Sequence, residues 1–149
     1  MPPQGPPEFL KDFTGENLEA AASRGAILAS VDDGGWPHQA YLSAGEILAQ
    51  AAGLSVVLWP SSRTTANIDR DGRAVLYLAA EGAIWEVRLR LARRQADGDS
   101  PAIFDGKIVE TRRHAAPYAE VINLLDFRLL DKQDTLKRWT RQIALLRGA

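Results

Sequence analysis

Short apolar runs separated by turn residues occupy most of the chain and predict β-strands joined by hairpins. In several runs hydrophobic and polar residues alternate with a period of two, which is typical of a strand with one buried face. We predict strands at about 26–31, 36–43, 46–51, 54–59, 73–80, 83–91, 103–111 and 123–130. Residues typical of turns separate the members of three pairs, at 32–35, 52–53 and 81–82. Strands at this spacing, with only small helices between them, predict a closed sheet or barrel.

Three segments carry helical signals instead. Thr14 in an N-cap position, acidic residues after it and Gly25 beyond predict a short helix at 15–24. The stretch 60–71 loses the period of two, contains several hydroxyl side chains and is followed by a glycine, which predicts a helical turn crossing between strands. Apolar residues with helical spacing near the end of the chain predict a helix at about 132–147.

The first seven residues include four prolines and one glycine, which favour an extended flexible arm. We therefore divide the chain into an arm at 1–12 and a single domain at 13–149. The N-terminus shows neither the basic nor the apolar region of a secretory signal, and no apolar run approaches the roughly 18 residues of a membrane span. We expect a soluble, cytoplasmic protein.

Composition removes several classes of function. The 149 residues include no cysteine, which excludes disulfide frameworks and cysteine-ligated metal sites. With 18 basic and 19 acidic side chains the net charge is −1, which argues against nucleic acid or a membrane surface as a partner. The two histidines form no metal-binding or nucleophile motif, so we predict no metal site and assign no catalytic residue. Any anion site must be local.

The segment Trp59–Asn67 contains the strongest candidate for such a site. It follows 54–59, a strand apolar nearly throughout, which predicts core on one face and a helix, cofactor or partner subunit on the other. Hydroxyl groups, backbone N–H groups at a helix start and Arg63 are donors suited to a phosphate monoester. The alternative is that Ser62 and its neighbours only cap a short helix while Arg63 is solvated.

With these motifs in this order, the chain resembles the pyridoxamine 5′-phosphate oxidase-like family of FMN-binding split barrels. The resemblance extends from about Gly25 to Arg90. It rests on four motifs, Ala26-Ile27-Leu28-Ala29-Ser30-Val31, Asp33-Gly34-Gly35-Trp36-Pro37-His38, Leu58-Trp59-Pro60-Ser61-Ser62-Arg63-Thr64 and Gly72-Arg73-Ala74-Val75-Leu76. It implies a mainly β fold, a six-stranded split barrel with a short N-terminal helix and a C-terminal helix.

The resemblance also implies a homodimer with FMN held in the clefts between subunits. The family's phosphate-binding motif matches Ser62, Arg63 and Thr64, with Thr65 and Asn67 nearby. The strand end that lies against the flavin ring matches Leu58, Trp59 and Pro60. On the strand after the first turn, His38 and Ser43 stand where the oxidase has an arginine and a lysine. His38 is thus either a satisfied core or interface histidine or a neighbour of the flavin.

These departures leave Arg63 as the main local cation, because Thr64 replaces the motif's lysine. They argue against the oxidase's own activity on pyridoxamine phosphate. We predict an FMN-dependent oxidoreductase that acts on a small molecule at a dimer-interface site. The alternative hypothesis is a non-catalytic dimer that binds a flavin, a deazaflavin or haem, or that has lost its cofactor.

Overall fold

A computed structural model describes residues 5–95 and 100–148 of the chain. Seven strands form one sheet, and two α-helices and a short N-terminal 3₁₀ helix pack against it. In chain order the elements are the 3₁₀ helix Glu8–Phe13, β1 (Gly25–Val31), β2 (Pro37–Ser43), β3 (Ile47–Gln50), β4 (Gly53–Leu58), α1 (Arg63–Asp71), β5 (Arg73–Ala80), β6 (Ala83–Arg93), β7 (Ala102–His114) and α2 (Lys132–Leu146). None of the helices in the described part of the chain has the length and apolar character needed to cross a membrane.

The sheet is antiparallel throughout and has the strand order β2-β1-β5-β6-β7-β4-β3. The mainly β fold class, with a helix near each end, is confirmed. The number of strands differs from the six expected, because the short β3 adds a seventh at the edge beside β4. Three hairpins, β1–β2, β3–β4 and β5–β6, form where the turn residues predicted them.

The sheet buries one face in a continuous hydrophobic core, and β4 is buried on both faces. The alternating residues Ala26 and Leu28 of β1 and Leu76 and Leu78 of β5 point into this core. On the other face of β4, Val57 packs in a second hydrophobic cluster with the apolar side of α2. Of the three partners considered for this face, a helix, a cofactor or a second subunit, the structure shows a helix of the same chain.

The predicted helix at 15–24 is wrong. Gly15 (φ 74°) and Asn17 (φ 50°) adopt left-handed backbone conformations, which interrupt a right-handed helix, and the segment forms successive turns. The helical element lies earlier, at Glu8–Phe13, where Leu10 and Phe13 enter the core. Residues 8–12, assigned to the arm from the sequence, thus take part in the packed domain, while residues 1–4 lie outside the described part.

The predicted strand at 123–130 is also wrong. The segment has no ladder partner and is held by side chains, since the guanidinium of Arg24 donates to the carbonyl of Ile122 (2.9 Å) and the amide of Asn123 donates to the carbonyl of Ser23 (3.3 Å). Leu125 and Phe127 cover Gly25, where an added Cβ would lie 3.0–3.1 Å from them. Its apolar residues therefore pack across the start of β1 without joining the sheet.

An ion pair fixes the end of α2 to the sheet. Arg94 binds Asp105 on β7 (2.7 Å) and donates to the carbonyls of Leu145 and Leu146 (3.0 Å each). The hydrogen bond from Arg94 holds the pKa of Asp105 below its usual range; a bond from Ser55 adds to this and partial burial opposes it. Asp105 thus neutralises an arginine that satisfies two terminal helix carbonyls.

The lowered pKa predicts how the pair responds to acid. A carboxyl group whose pKa is depressed on folding contributes stability above its unfolded pKa of about 3.9, and that contribution is lost as pH falls through the folded value. We expect Asp105→Asn to lower the urea midpoint at pH 7 and the difference from the parent protein to shrink below about pH 4. Asp33→Asn, in an exposed turn, is the control; an Asp105→Asn difference that stays constant down to pH 2.5 contradicts the prediction.

Candidate functional site

The segment between β4 and α1 exposes two of its three predicted ring-flanking side chains. Trp59 is 75% exposed and Pro60 is also exposed, whereas Leu58 is 6% exposed and belongs to the core. Most of the Trp59 side chain is thus left uncovered by residues 5–95 and 100–148. Trp59 and Pro60 can therefore contact a ligand with their side chains, while Leu58 fixes the end of the strand beneath them.

Ser62 caps α1 in a closed network of hydrogen bonds. Its Oγ accepts from the backbone N–H of Thr65 (3.1 Å) and lies 2.9 Å from Thr65 Oγ1. Thr65 Oγ1 in turn donates to the carbonyl of Trp59 (2.7 Å). Since Thr65 gives its hydroxyl proton to Trp59, Ser62 must donate its own proton to Thr65. Both hydroxyl protons are thus used inside the loop, and neither is left for a phosphate.

The donors that remain at this helix start are the Arg63 side chain and backbone amides. The amides of Arg63 and Thr64 lie in the first turn, where no intrahelical acceptor exists. Arg63 is exposed, and within residues 5–95 and 100–148 its guanidinium makes no ion pair or hydrogen bond. The capping interpretation and the anion-site interpretation are therefore compatible, because the cap holds the helix start while Arg63 faces solvent.

Thr64 and Asn67 face inward from α1. They are 2% and 3% exposed, and Asn67 Nδ2 donates to Ser30 Oγ on β1 (3.0 Å). This bond ties the helix to the sheet, so Asn67 acts here as a structural anchor. Sequence reasoning assigned no role to Ser30, although one signal was present: it occupies an inward position in line with Ala26 and Leu28, where a polar residue needs a partner.

His38 lies on the same side of the sheet. It is half-buried on β2 and is the ladder partner of Ser30, and directly opposed residues of an antiparallel pair project from the same face. The structure thus brings His38, Ser30 and Asn67 together beside α1. Of the predicted site residues, His38 and Asn67 are both neighbours of Ser30, His38 as its ladder partner and Asn67 through a hydrogen bond. Trp59, Ser62, Arg63 and Thr65 lie instead at the N-terminal end of α1.

Two concave regions lie near these residues. One, of about 180 Å³, adjoins Trp59 and Pro60. The other, of about 600 Å³, is a groove on the outer face of the sheet whose lining includes Ala29, Val31, Arg73, Val75, Arg90 and Val109. Only the groove has the volume of a typical cofactor site, and its lining does not include the predicted phosphate-binding residues.

Part of the outer face of the sheet, on β2, β1 and β5, is apolar. Ile27 lies between Tyr41 on β2 and Tyr77 on β5 in one cross-strand row. Tyr41 is 67% exposed, and Val31 and Val109 are exposed on the same face. A contiguous row of this kind is typical of a surface that binds another protein or a ligand.

Comparison with known proteins shows the family to which the chain belongs. No protein-family model matches it. It is 31% identical over 122 residues to the uncharacterized protein YclD of Bacillus subtilis (strain 168), and the alignment covers 78% of this chain and 79% of YclD. The chain belongs to the YclD family. This assignment by itself carries no activity, because YclD is described only as uncharacterized.

Solved structures of similar fold connect the YclD family with the predicted split barrels. An F420 reductase superposes with a TM-score of 0.51 at 14% identity, covering 65% of this chain and 97% of the other. A putative pyridoxamine 5′-phosphate oxidase from Listeria innocua superposes with a TM-score of 0.51 at 16% identity, covering 64% of this chain and 90% of the other. The haem storage protein HutZ from Vibrio cholerae superposes with a TM-score of 0.52 at 12% identity, covering 70% of this chain and 92% of the other. The predicted pyridoxamine 5′-phosphate oxidase-like split-barrel fold is confirmed.

Proposed function

We propose that this protein binds FMN at a site shared by two copies of the chain and uses it as an oxidoreductase toward a small molecule. The observation that carries the proposal is the exposed start of α1, where Arg63 and free amides follow a fully buried strand. Three proteins of similar fold support a flavin-like ligand in general, because their names refer to a cofactor or to a redox enzyme. They are the F420 reductase, the putative oxidase and HutZ.

The charge of Arg63 supports an anionic ligand at this helix start. The N-terminus of a helix carries partial positive charge, so a cation in the first turn is unfavourable there. The first turn of α1 holds no acidic residue that would offset Arg63. A bound phosphate would reverse this balance, because the helix end, the amides of Arg63 and Thr64 and the guanidinium would all attract it.

The ring of the cofactor would lie beyond the phosphate, along Trp59 and Pro60. An indole and a proline ring provide flat apolar surface suited to an aromatic ligand. Bound FMN would supply hydride transfer, while the chain orients the ring and admits the substrate to one face. The side chains present fit a flavin phosphate with one arginine, and they do not reproduce the oxidase's three basic positions.

The second copy would cover the apolar row Tyr41–Ile27–Tyr77 and the groove beside it. Covering these side chains removes apolar surface from water and would give the groove a second wall. This explains how a site could include both the α1 start of one copy and the outer face of its partner. The proposed assembly is a homodimer.

A titration with FMN and riboflavin tests the proposal. We expect FMN bound to the purified protein to give two shifted flavin absorption bands, and riboflavin, which lacks the phosphate, to bind at least tenfold more weakly. Light scattering on the same sample should give twice the chain mass. A monomer that takes up no FMN overturns the proposal, and a shifted Soret band on adding haemin instead supports the second candidate, a haem-binding dimer related in fold to HutZ.

A further inference from the structure

A cavity of about 180 Å³ separates the end of β4 from α2. Its walls are mostly apolar, and two polar side chains complete the lining, which consists of Glu46, Val57, Leu58, Trp59, Pro60, Pro101 and Gln142. A closed apolar cavity of about 150 Å³ is sufficient to bind benzene. The volume therefore admits one six-membered ring with a short substituent, and it is too small for a flavin.

The side-chain carbonyl oxygen of Gln142 is a hydrogen-bond acceptor that receives no hydrogen bond. This atom, Oε1, is the one buried side-chain atom of the described residues that has no hydrogen-bond partner. A buried carbonyl oxygen left unpaired is destabilising, because it has lost its hydrogen bonds to water. Because the terminal torsion of a glutamine is broad, a donor that enters the cavity can reach this oxygen after a small rotation.

Glu46 supplies a second acceptor. Its Oε1 accepts from the backbone N–H of Ser43 (3.0 Å) and from Ser43 Oγ (2.7 Å), so the carboxylate is held in place. Oε2 has no hydrogen bond, and no ion pair of residues 5–95 and 100–148 involves Glu46. A fixed carboxylate without a cation, in the same cavity as an unpaired amide oxygen, favours a ligand with positively charged donors.

We propose that this cavity is a binding site for a small organic ammonium ion with an apolar or aromatic body. The ammonium group would donate to Glu46 Oε2 and Gln142 Oε1, and the body would contact Leu58, Pro60 and the indole of Trp59, whose face also attracts cations. An anion is disfavoured by Glu46, and a neutral ring would leave both acceptors unpaired. Binding itself does not depend on FMN; only a role for the bound amine as substrate rests on the proposed function.

Calorimetry with three probes of one shape tests the site. We expect benzylammonium to bind at least tenfold more tightly than benzyl alcohol, and benzoate not to bind. The titrations are done on the full chain before and after the addition of FMN, and FMN uptake is followed separately by absorbance. Benzylammonium binding without FMN uptake supports the cavity and fails the proposed cofactor, and FMN uptake without benzylammonium binding does the reverse.

Two matched variants on α2 separate the site from general effects on the helix. Gln142→Leu removes the unpaired oxygen. We expect this variant to bind benzylammonium about tenfold more weakly and to unfold at a urea midpoint no lower than that of the parent protein. Gln133→Leu makes the same change at an exposed position of α2 and should leave binding unchanged. Equal affinity for benzylammonium and benzyl alcohol, or unchanged benzylammonium binding in Gln142→Leu, overturns the inference.

Discussion

Gly45→Ala is expected to lower the free energy of unfolding by about 3 kcal/mol, a large fraction of the stability of a domain of this size. A Cβ at Gly45 would lie 2.0 Å from Cγ of Trp139, 2.3 Å from its Cδ1 and 2.4 Å from its Cβ. Trp139 is 2% exposed and anchors α2 in the core, so the ring has no free space into which to move. The substitution must displace the indole or the helix that carries it.

Urea unfolding followed by tryptophan fluorescence measures this effect. Gly34→Ala is the matched control, because a Cβ there meets its nearest neighbours at 3.4–3.5 Å, which is ordinary contact. We expect the control to remain within about 0.5 kcal/mol of the parent protein. Since α2 also carries Gln142, Gly45→Ala should weaken benzylammonium binding as well. A Gly45→Ala midpoint equal to that of Gly34→Ala would show that the packing around Trp139 is looser than described.

Arg63→Ala is expected to weaken FMN binding roughly 10–100-fold and to leave riboflavin binding nearly unchanged. The range follows from the loss of a hydrogen bond to a charged group, worth about 1.5–3 kcal/mol. The fold should not suffer, because Arg63 is exposed and its charge opposes the helix dipole. Alanine is also the better helix former, so the urea midpoint should stay equal or rise slightly.

Arg138→Ala, at an exposed position of α2, is the control for a change in net charge. It should leave FMN affinity within a factor of two. If Arg63→Ala weakens FMN and riboflavin equally, the residue acts on the ring or the loop and the phosphate assignment fails. If Arg63→Ala changes the affinity for neither flavin, the start of α1 only caps the helix and binds no phosphate.

The seven strands, the three hairpins and the two α-helices could be predicted from the sequence because their signals are local, whereas the strand predicted at 123–130 does not form. The alternation of Val87, Leu89 and Leu91 with charged residues defines the buried face of β6, and the glycine after α1 adopts the left-handed conformation that ends the helix (Gly72, φ 69°). The helix predicted at 15–24 is wrong because the local signal is overridden by the backbone conformation and by contacts with α2. Thr14 and its acidic neighbours are typical of a helix start, yet the positive φ values of Gly15 and Asn17, where Gly15 meets α2, override that preference.

The candidate site was predicted in part. Ser62, Arg63 and Thr65 lie together at the start of α1, as near neighbours in sequence must, and the cap on α1 is confirmed. Motif spacing could not show that both hydroxyl protons are used in hydrogen bonds at the helix start, which leaves Arg63 and the amides as the donors for the proposed phosphate. The roles of Trp59, His38 and Asn67 toward a cofactor stay predictions.

The sequence by itself determined the seven segments that form strands up to residue 114, where the chain turns between them and where a phosphate-binding segment could lie, since periodicity and turn chemistry act over a few residues. Only the tertiary structure decided that β4 pairs with β7, that Asn67 binds Ser30, and that Glu46 and Gln142 line one cavity. These partners are far apart in the chain, and they meet because an antiparallel sheet and a helix bury their apolar faces together.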